Sequence, residues 1–401
     1  MLWAGLLISI AGSQMQLAAI HWHIRSLTGT PDPLALGGIG LARILPVIVF
    51  SLFGGAFADT YNRRTILFIT QSLMALTAAG LAILTYWGHI QIWHIYTLTA
   101  IQAAAIAFDG PARQAIVPNL VDSQDLPNAF SLNSIAFNTG AVIGPALSGL
   151  VIATLGQGYT YLFNAISFLA VIIALVAIGD IPQDIKKASG VNLRAMGDGV
   201  RFIFSRKIIL STMIMDFFAT FFASANTMMP IVARDILQVG EVGYGLLISA
   251  QAIGSVTAGL VVSQIPIIRK QGPVFLTSVV LFGFATIAFG LANSFFLAML
   301  SLIFIGAADT VSTIIRNTIR QLQTPDHIRG RMTSINQIFF QGGPQLGEVE
   351  SGLVAAAFGV PFAIISGGIG TILAAIVIMT NWPVLKNYDG PEPAPAASPS
   401  N

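Results

Sequence analysis

Four stretches of this sequence, residues 65–108, 126–179, 271–308 and 351–385, contain no Asp, Glu, Lys or Arg. A helix needs about 20 predominantly apolar residues to cross the hydrocarbon core of a bilayer. Each stretch therefore holds two crossings or nearly two. Turn signals divide them at Trp87-Gly88-His89, Gly156-Gln157-Gly158, Ala292-Asn293-Ser294 and Gly359-Val360-Pro361. With the less uniform stretches added, the sequence predicts twelve helices, over 2–24, 36–58, 66–87, 92–114, 129–154, 159–179, 207–233, 243–265, 273–292, 294–317, 332–358 and 360–381. Barrel strands would show alternating polarity over segments of about 10 residues, and these stretches do not alternate.

Composition agrees. Of 401 residues, 55% are hydrophobic and 9% charged, against about 25% charged in soluble domains. This excludes a soluble enzyme, a nucleic-acid-binding domain and a disordered chain. The net charge of +2 points to no polyanionic partner. Cysteine is absent, which removes disulfides, thiolate metal sites and thiol catalysis. The first apolar stretch begins at Met1 with no basic leader, so it is expected to be a span rather than a cleavable signal.

Of the 19 Lys and Arg residues, all but Arg25, Arg43 and Arg234 fall at one set of alternate helix ends. Basic residues collect on the cytoplasmic side, so both termini are expected inside, with the chain in the inner (plasma) membrane. Segment 180–206 is a basic cytoplasmic linker between bundles 1–179 and 207–381. Residues 382–401, ending in a Pro-, Ala- and Ser-rich stretch, are expected to be a disordered cytoplasmic tail.

The two halves echo each other. Asp109 corresponds to Asp309, Gly144-Pro145 to Gly343-Pro344, Gly149 to Gly352 and Gly55 to Gly259, all at offsets near half the chain. Repeats of this kind occur in secondary transporters, whose binding site lies between the halves near the midplane.

Two motifs carry most of the functional information. Gly55-Ala-Phe-Ala-Asp59-Thr-Tyr-Asn-Arg63-Arg64 closes the second helix, where Asp59 and the arginines can form a cytoplasmic gate or merely a basic turn that enforces topology. Gly140-Ala-Val-Ile-Gly144-Pro145-Ala-Leu-Ser-Gly149 gives the fifth helix a bent, grooved face for close packing. The first resembles the loop 2–3 signature of the major facilitator superfamily, although Ser263 stands where its repeat would place an Asp. The second resembles that superfamily's antiporter signature, with Ser148 in place of one glycine. Phe108-Asp109-Gly110-Pro111-Ala112-Arg113, Met215-Asp216-Phe217-Phe218 and Leu346-Gly347-Glu348-Val349-Glu350 are similar to the enterobactin-exporter branch. The resemblance implies a major facilitator fold, an all-α membrane protein of two pseudo-symmetric six-helix bundles. It also implies proton-driven efflux of a small amphipathic molecule, such as a siderophore or drug-like compound. The alternatives are a proton-coupled importer or uncoupled facilitator of a small metabolite and, from another class, a polytopic lipid-modifying enzyme, against which stands the lack of a matching His, Ser or metal set near one membrane face.

Acids inside a span are costly and face a cavity or a partner. Asp216 sits about 14 Å into the seventh helix at 1.5 Å per residue. No basic residue is near it in sequence, so it either exchanges protons or makes a structural hydrogen bond. Gln337, Gln341, Gln345 and Glu348 fall within about 80° of each other on one helix face, a polar stripe suited to a substrate cavity. Glu348 is the preferred proton-coupling acid. Glu350 points to the other side of that helix, as a second coupling candidate or an interhelical anchor. Asp109 with Arg113, and Asp309 with Arg316, are expected to join Arg63, Arg64 and Arg269 as gate charges. Arg43, inside the second span, either binds an anionic substrate group or pairs with an acid. His21 and His23 end the first helix and His89 and His94 flank an outer loop; none forms a metal pair. No metal, cofactor or ATP site is expected. The expected partners are a small organic substrate, protons and the bilayer, with no nucleic acid, and the chain is expected to be monomeric.

Overall fold

The computed structural model describes residues 2–179, 201–266 and 268–390, and all regular secondary structure among them is helical. Helices stand at the twelve predicted positions. They are α1 (Leu2–Leu27), α2 (Pro33–Thr60), α3 (Arg63–Tyr86), α4 (Ile92–Ile116), α5 (Leu126–Leu155), α6 (Gln157–Ile178), α7 (Lys207–Phe222, continued by irregular turns), α8 (Gly240–Ser263), α9 (Gln271–Gly290), α10 (Phe295–Gln323), α11 (Asp326–Phe358) and α12 (Val360–Asn381). Ten of these spans are apolar enough to cross a membrane on length and composition alone. The other two, α4 and α11, turn polar groups inward, with Gln102 and Asp109 buried on α4 and Gln345 and Ser351 buried on α11.

Helices α1–α6 pack as one bundle and α7–α12 as another. The repeat is visible in the turns. Gly156 joins α5 to α6 at φ +91°, and Gly359 joins α11 to α12 at φ +92°. That left-handed backbone region suits glycine, which has no Cβ to clash. Packing repeats too. Gly140 and Gly144 lay α5 against Ala11 of α1, and Gly343 and Gly347 lay α11 against Phe217 and Phe221 of α7. Farther along the same two helices, the halves meet. A Cβ added at Gly149 would lie 3.0 Å from the Cα of Gly245 on α8, and one added at Gly352 would lie 3.0 Å from the Cα of Gly37 on α2. Without side chains at these points the backbones approach closely enough for dispersion to act between them.

Both crossings lie toward the face opposite the basic helix ends, here called the far face. An apolar core runs through both bundles there, with Trp22, Ile24, Leu36 and Ile39 joined to Met228, Met229, Tyr244 and Leu247. Toward the basic face the core divides. One cluster, including Ile66, Ile116 and Leu175, belongs to the first bundle, and another, including Ile209, Met213 and Ile319, to the second. The bundles therefore touch at the far face and part toward the basic face.

Two expectations are corrected. The continuous helix over 207–233 is broken after Phe222, passing through a 3-10 turn at Ala225–Met228 and a π turn at Val232–Ile236. Pro230 offers no N–H to the helix ladder, and the Ser224 hydroxyl reaches the carbonyls of Thr220 and Pro344 instead of leaving the helix undisturbed. The tail is not disordered from 382. Pro383–Lys386 form a short helix with Leu385 buried, and Tyr388 and Asp389 accept hydrogen bonds from Gly272 and Lys270. Residues 180–200 of the expected linker and 391–401 of the tail lie outside the described residues.

A bulky side chain at the α5–α8 crossing should force the far face apart. Because the native chain lacks cysteine, Asn226→Cys can be labelled without background by a membrane-impermeant maleimide added on the far side. Adding Gly245→Leu is expected to raise that labelling several-fold, whereas an unchanged rate would show that the crossing does not seal this face.

Candidate functional site

The parting of the bundles encloses a cavity of about 330 Å³. Its wall is built from both halves: Gln14, Leu17, Ala18 and His21 on α1; Phe137, Asn138, Ala141 and Pro145 on α5; Asn226 and Thr227 in the break after α7; Tyr244, Ile248, Gln251, Ala252 and Ser255 on α8; and Glu348 on α11. The helical faces follow the 3.6-residue period, as at Gln14, Ala18 and His21 or Ile248, Gln251 and Ser255. Phe137, on the basic side of the α5–α8 crossing, is 57% exposed. A depression of about 470 Å³ lined by Gly259, Ser263 and Thr318 also exists, but no ionisable side chain lines it.

Glu348 is the one acid in the cavity wall among the described residues. Its Oε1 lies 3.3 Å from Arg43 Nη1 of α2, so the pair links the two halves. Gly40 makes this approach possible, since a Cβ there would collide with the Gln345 carbonyl and crowd the Glu348 side chain. At the far end a second cross-half pair is bidentate. Arg25 Nε donates to Asp235 Oδ2 at 2.7 Å and its Nη2 to Oδ1 at 2.5 Å. Nearby, the Tyr244 hydroxyl donates to the Ala18 carbonyl and the Ser249 hydroxyl to the Val142 carbonyl, both at 2.8 Å.

The expected gate charges are occupied differently. Asp109, 4% exposed, accepts from Thr70 and Gln71 of α3 and from Arg113 on its own helix. Arg63 reaches the Ala115 carbonyl and Asn119, and Arg64 the Leu175 carbonyl. Arg316 stands 2.9 Å from Asp216 and 3.7 Å from Asp309. All these partners lie within one bundle, so the described contacts staple each bundle internally. The expectation of Asp216 as a lone acid is corrected: it is 1% exposed, with Arg316 against one oxygen and Arg320 3.9 Å from the other. The 2.9 Å approach is close enough for an ion pair but is not aligned as a hydrogen bond. Sequence alone hides this cluster because α10 brings its arginines to α7 from about 100 positions away. Arg320 also holds Asn336 on α11 and Asn317.

The polar stripe of α11 is only partly in the cavity. Glu348 lines it, Gln345 is buried close to Gly40, and Gln341 is half-buried elsewhere. Glu350 is half-buried and outside the cavity wall. The surroundings of Gly55 and the side chains of Asp59 and Gln337 lie outside the described set, and Arg269 has no described partner in the other half. Both histidines of α1 are buried. His21 lines the cavity, and His23 Nδ1 lies 3.0 Å from the buried Tyr161 hydroxyl.

The model of a family described as transmembrane secretion effector matches residues 1–395. The chain is 27% identical over 372 residues to the staphyloferrin A transporter of Staphylococcus aureus, covering 91% of each. It is 24% identical to the multidrug efflux pump Tap of Mycolicibacterium fortuitum, over 92% of this chain and 91% of that protein. It is 23% identical to the enterobactin exporter EntS of Citrobacter koseri, over 87% and 83%. Among solved structures, a POT family transporter in complex with 5-aminolevulinic acid shares the fold, with a TM-score of 0.75, 12% identity and 96% coverage of both chains.

Removing one member of a buried ion pair leaves the other charge uncompensated, at a cost of about 3–5 kcal/mol. Arg316→Leu is accordingly expected to lower the thermal midpoint of the purified protein sharply, and Asp216→Asn with Arg316→Leu to recover much of the loss. A thermal scan in which Arg316→Leu melts like the parent would deny the cluster its structural task.

Proposed function

The chain belongs to the transmembrane secretion effector family, multi-pass transporters of the major facilitator fold that export small molecules, and on that premise we propose that its export is driven by protons exchanged at Glu348. The observation that carries this reading is the cross-half contact that Glu348, a residue of the cavity wall, makes with Arg43 beside the cavity. A ligand shifts a two-state equilibrium only by binding the two states differently. The ion pair holds α2 and α11 together while the far face is closed. A proton on Glu348 removes one charge of the pair, and a substrate group on the same carboxylate competes with Arg43. Proton and substrate therefore compete for one carboxylate, which is the requirement for exchange.

The cycle follows. The basic face is cytoplasmic, by the distribution of Lys and Arg, so the conformation described is open to the cytoplasm, with both termini inside and the chain in the inner membrane. Substrate enters from that side, weakens the Glu348–Arg43 contact, and the bundles rock until the far face opens. A proton from outside then takes Glu348 and displaces the substrate. Closure of the cytoplasmic side brings together the helix ends that carry Gly55, Asp59, Arg63, Arg64 and Arg269, the gate expected from the motif. Asp216, Asp309 and Arg316, together with Asp109 and Arg113, keep each bundle rigid during that motion. Asp216 is not the carrier, because its carboxylate is already balanced by two arginines. The substrate is a small amphipathic compound of siderophore or drug-like character, in keeping with the names of the relatives. In this reading the transporting unit is a monomer, with residues of both bundles of one chain lining the cavity.

In proteoliposomes with an imposed pH gradient, Glu348→Gln is expected to abolish concentrative export while leaving downhill exchange measurable. Concentrative export that persists in Glu348→Gln would refute coupling at this residue, and transport indifferent to the gradient in the parent would favour a facilitator.

A further inference from the structure

We propose that His21 and Glu348 form an acceptor subsite that recognises the hydrogen-bond donors of a neutral or cationic amphipathic solute and disfavours polyanions. The proposal rests on reading the central cavity as the transport site.

His21 is 7% exposed, yet its Nε2 has no hydrogen-bond partner. Its Nδ1 lies 2.9 Å from the Leu17 carbonyl, which can only accept, so Nδ1 carries the proton. In the neutral ring Nε2 is then a buried acceptor on a residue that lines the cavity. Glu348 supplies a second. Arg43 occupies Oε1, while Oε2 is buried and also unpartnered. Buried polar atoms left unpaired are uncommon, and each carries the cost of its lost hydration. Two such acceptors in the wall of one cavity favour a ligand that brings donors to both.

Charge argues the same way. No Lys or Arg lines the cavity among the described residues, and the nearby guanidinium of Arg43 is already engaged by the Glu348 carboxylate. An anion would find no free counter-charge there and would sit beside a carboxylate. The amides of Gln14, Asn138 and Gln251 can turn either way and so do not discriminate. Phe137, an exposed aromatic side chain in the cavity lining, suits a planar apolar body bearing a positive charge. The ligand class that satisfies these groups together is an aromatic or alkyl amine, or a polyhydroxylated aromatic, rather than a polycarboxylate.

The test uses the purified full chain and two fluorescent probes of similar size and opposite charge, followed by anisotropy. Ethidium is a cation with two aryl amines, and fluorescein is a dianion without them. Ethidium is expected to bind, with fluorescein failing to displace it. His21→Phe should weaken ethidium about tenfold, the upper range for one net hydrogen bond, and His21→Gln, which restores an acceptor oxygen, should recover most of that loss. Glu348→Ala should weaken it independently, and elution volume and thermal midpoint confirm folding of each variant. Absence of ethidium binding, affinity unmoved by His21→Phe, or equal binding of fluorescein would overturn the subsite. Vesicle transport separates this from the exporter reading: export of fluorescein but not ethidium would defeat the subsite and leave the exporter reading standing. A protein that binds ethidium as described but exports no solute would defeat the exporter reading alone.

Discussion

Two glycine-on-glycine crossings, Gly37 with Gly352 and Gly149 with Gly245, allow the bundles to meet at all. Between apolar helices in a membrane there is little hydrophobic drive to associate, so close backbone contact must supply the attraction. Small residues on both sides of each crossing provide it. The apolar core through Trp22 and Tyr244, whose rings stand 5.0 Å apart, forms around these points, and the cavity occupies the space where the bundles diverge beyond them. Such a contact is extensive enough to hold a conformation yet involves few side chains that must repack when it opens.

Charge is distributed to match that mechanics. Within each bundle, buried acids are surrounded by partners: Asp109 by Thr70, Gln71 and Arg113, and Asp216 by Arg316 and Arg320. These contacts do not change when one bundle moves against the other. Across the bundles two pairs occur among the described residues, Arg43–Glu348 beside the cavity and Arg25–Asp235 at the far end. Only pairs of the second kind can be made and broken by rocking, so only they can couple a bound proton or solute to the motion. Both pairs are largely withdrawn from solvent, so neutralising one partner leaves the other charge uncompensated at the interface they straddle.

Much of the architecture was legible in the amino-acid order. Charge-free stretches bounded by Gly and Pro give the helices, because the bilayer leaves few alternatives for backbone hydrogen bonds. The offset recurrence of Gly144-Pro145 and Gly149 anticipates the repeat, since the same close packing is needed twice. Polarity and position in the sequence point to Glu348 as a cavity acid, and leave Arg43 either binding an anionic substrate group or pairing with an acid that the sequence does not name. What stayed hidden is long-range. Asp216 looks solitary in the sequence because its arginines lie on another helix, and spacing does not reveal that the described partners of Asp109 and Asp309 lie in their own bundles. Gln14, Ala18 and His21 share one helical face, and that period could have pointed α1 at the cavity. The sequence instead puts His21 and His23 at the end of the first helix, which in the structure continues to Leu27.

Alternating access between bundles that move as rigid bodies is most directly tested by distance. The cysteine-free background allows spin labels at Thr30 and Glu241 on the far face, and at Tyr61 and Gln264 on the basic face, to be read in pairs by pulsed electron resonance. Acidification is expected to lengthen the far-face distance and shorten the basic-face distance in the parent, with both shifts lost in Glu348→Gln. Two distances that stay fixed, or that rise together, would contradict a proton-controlled rocking of one bundle against the other.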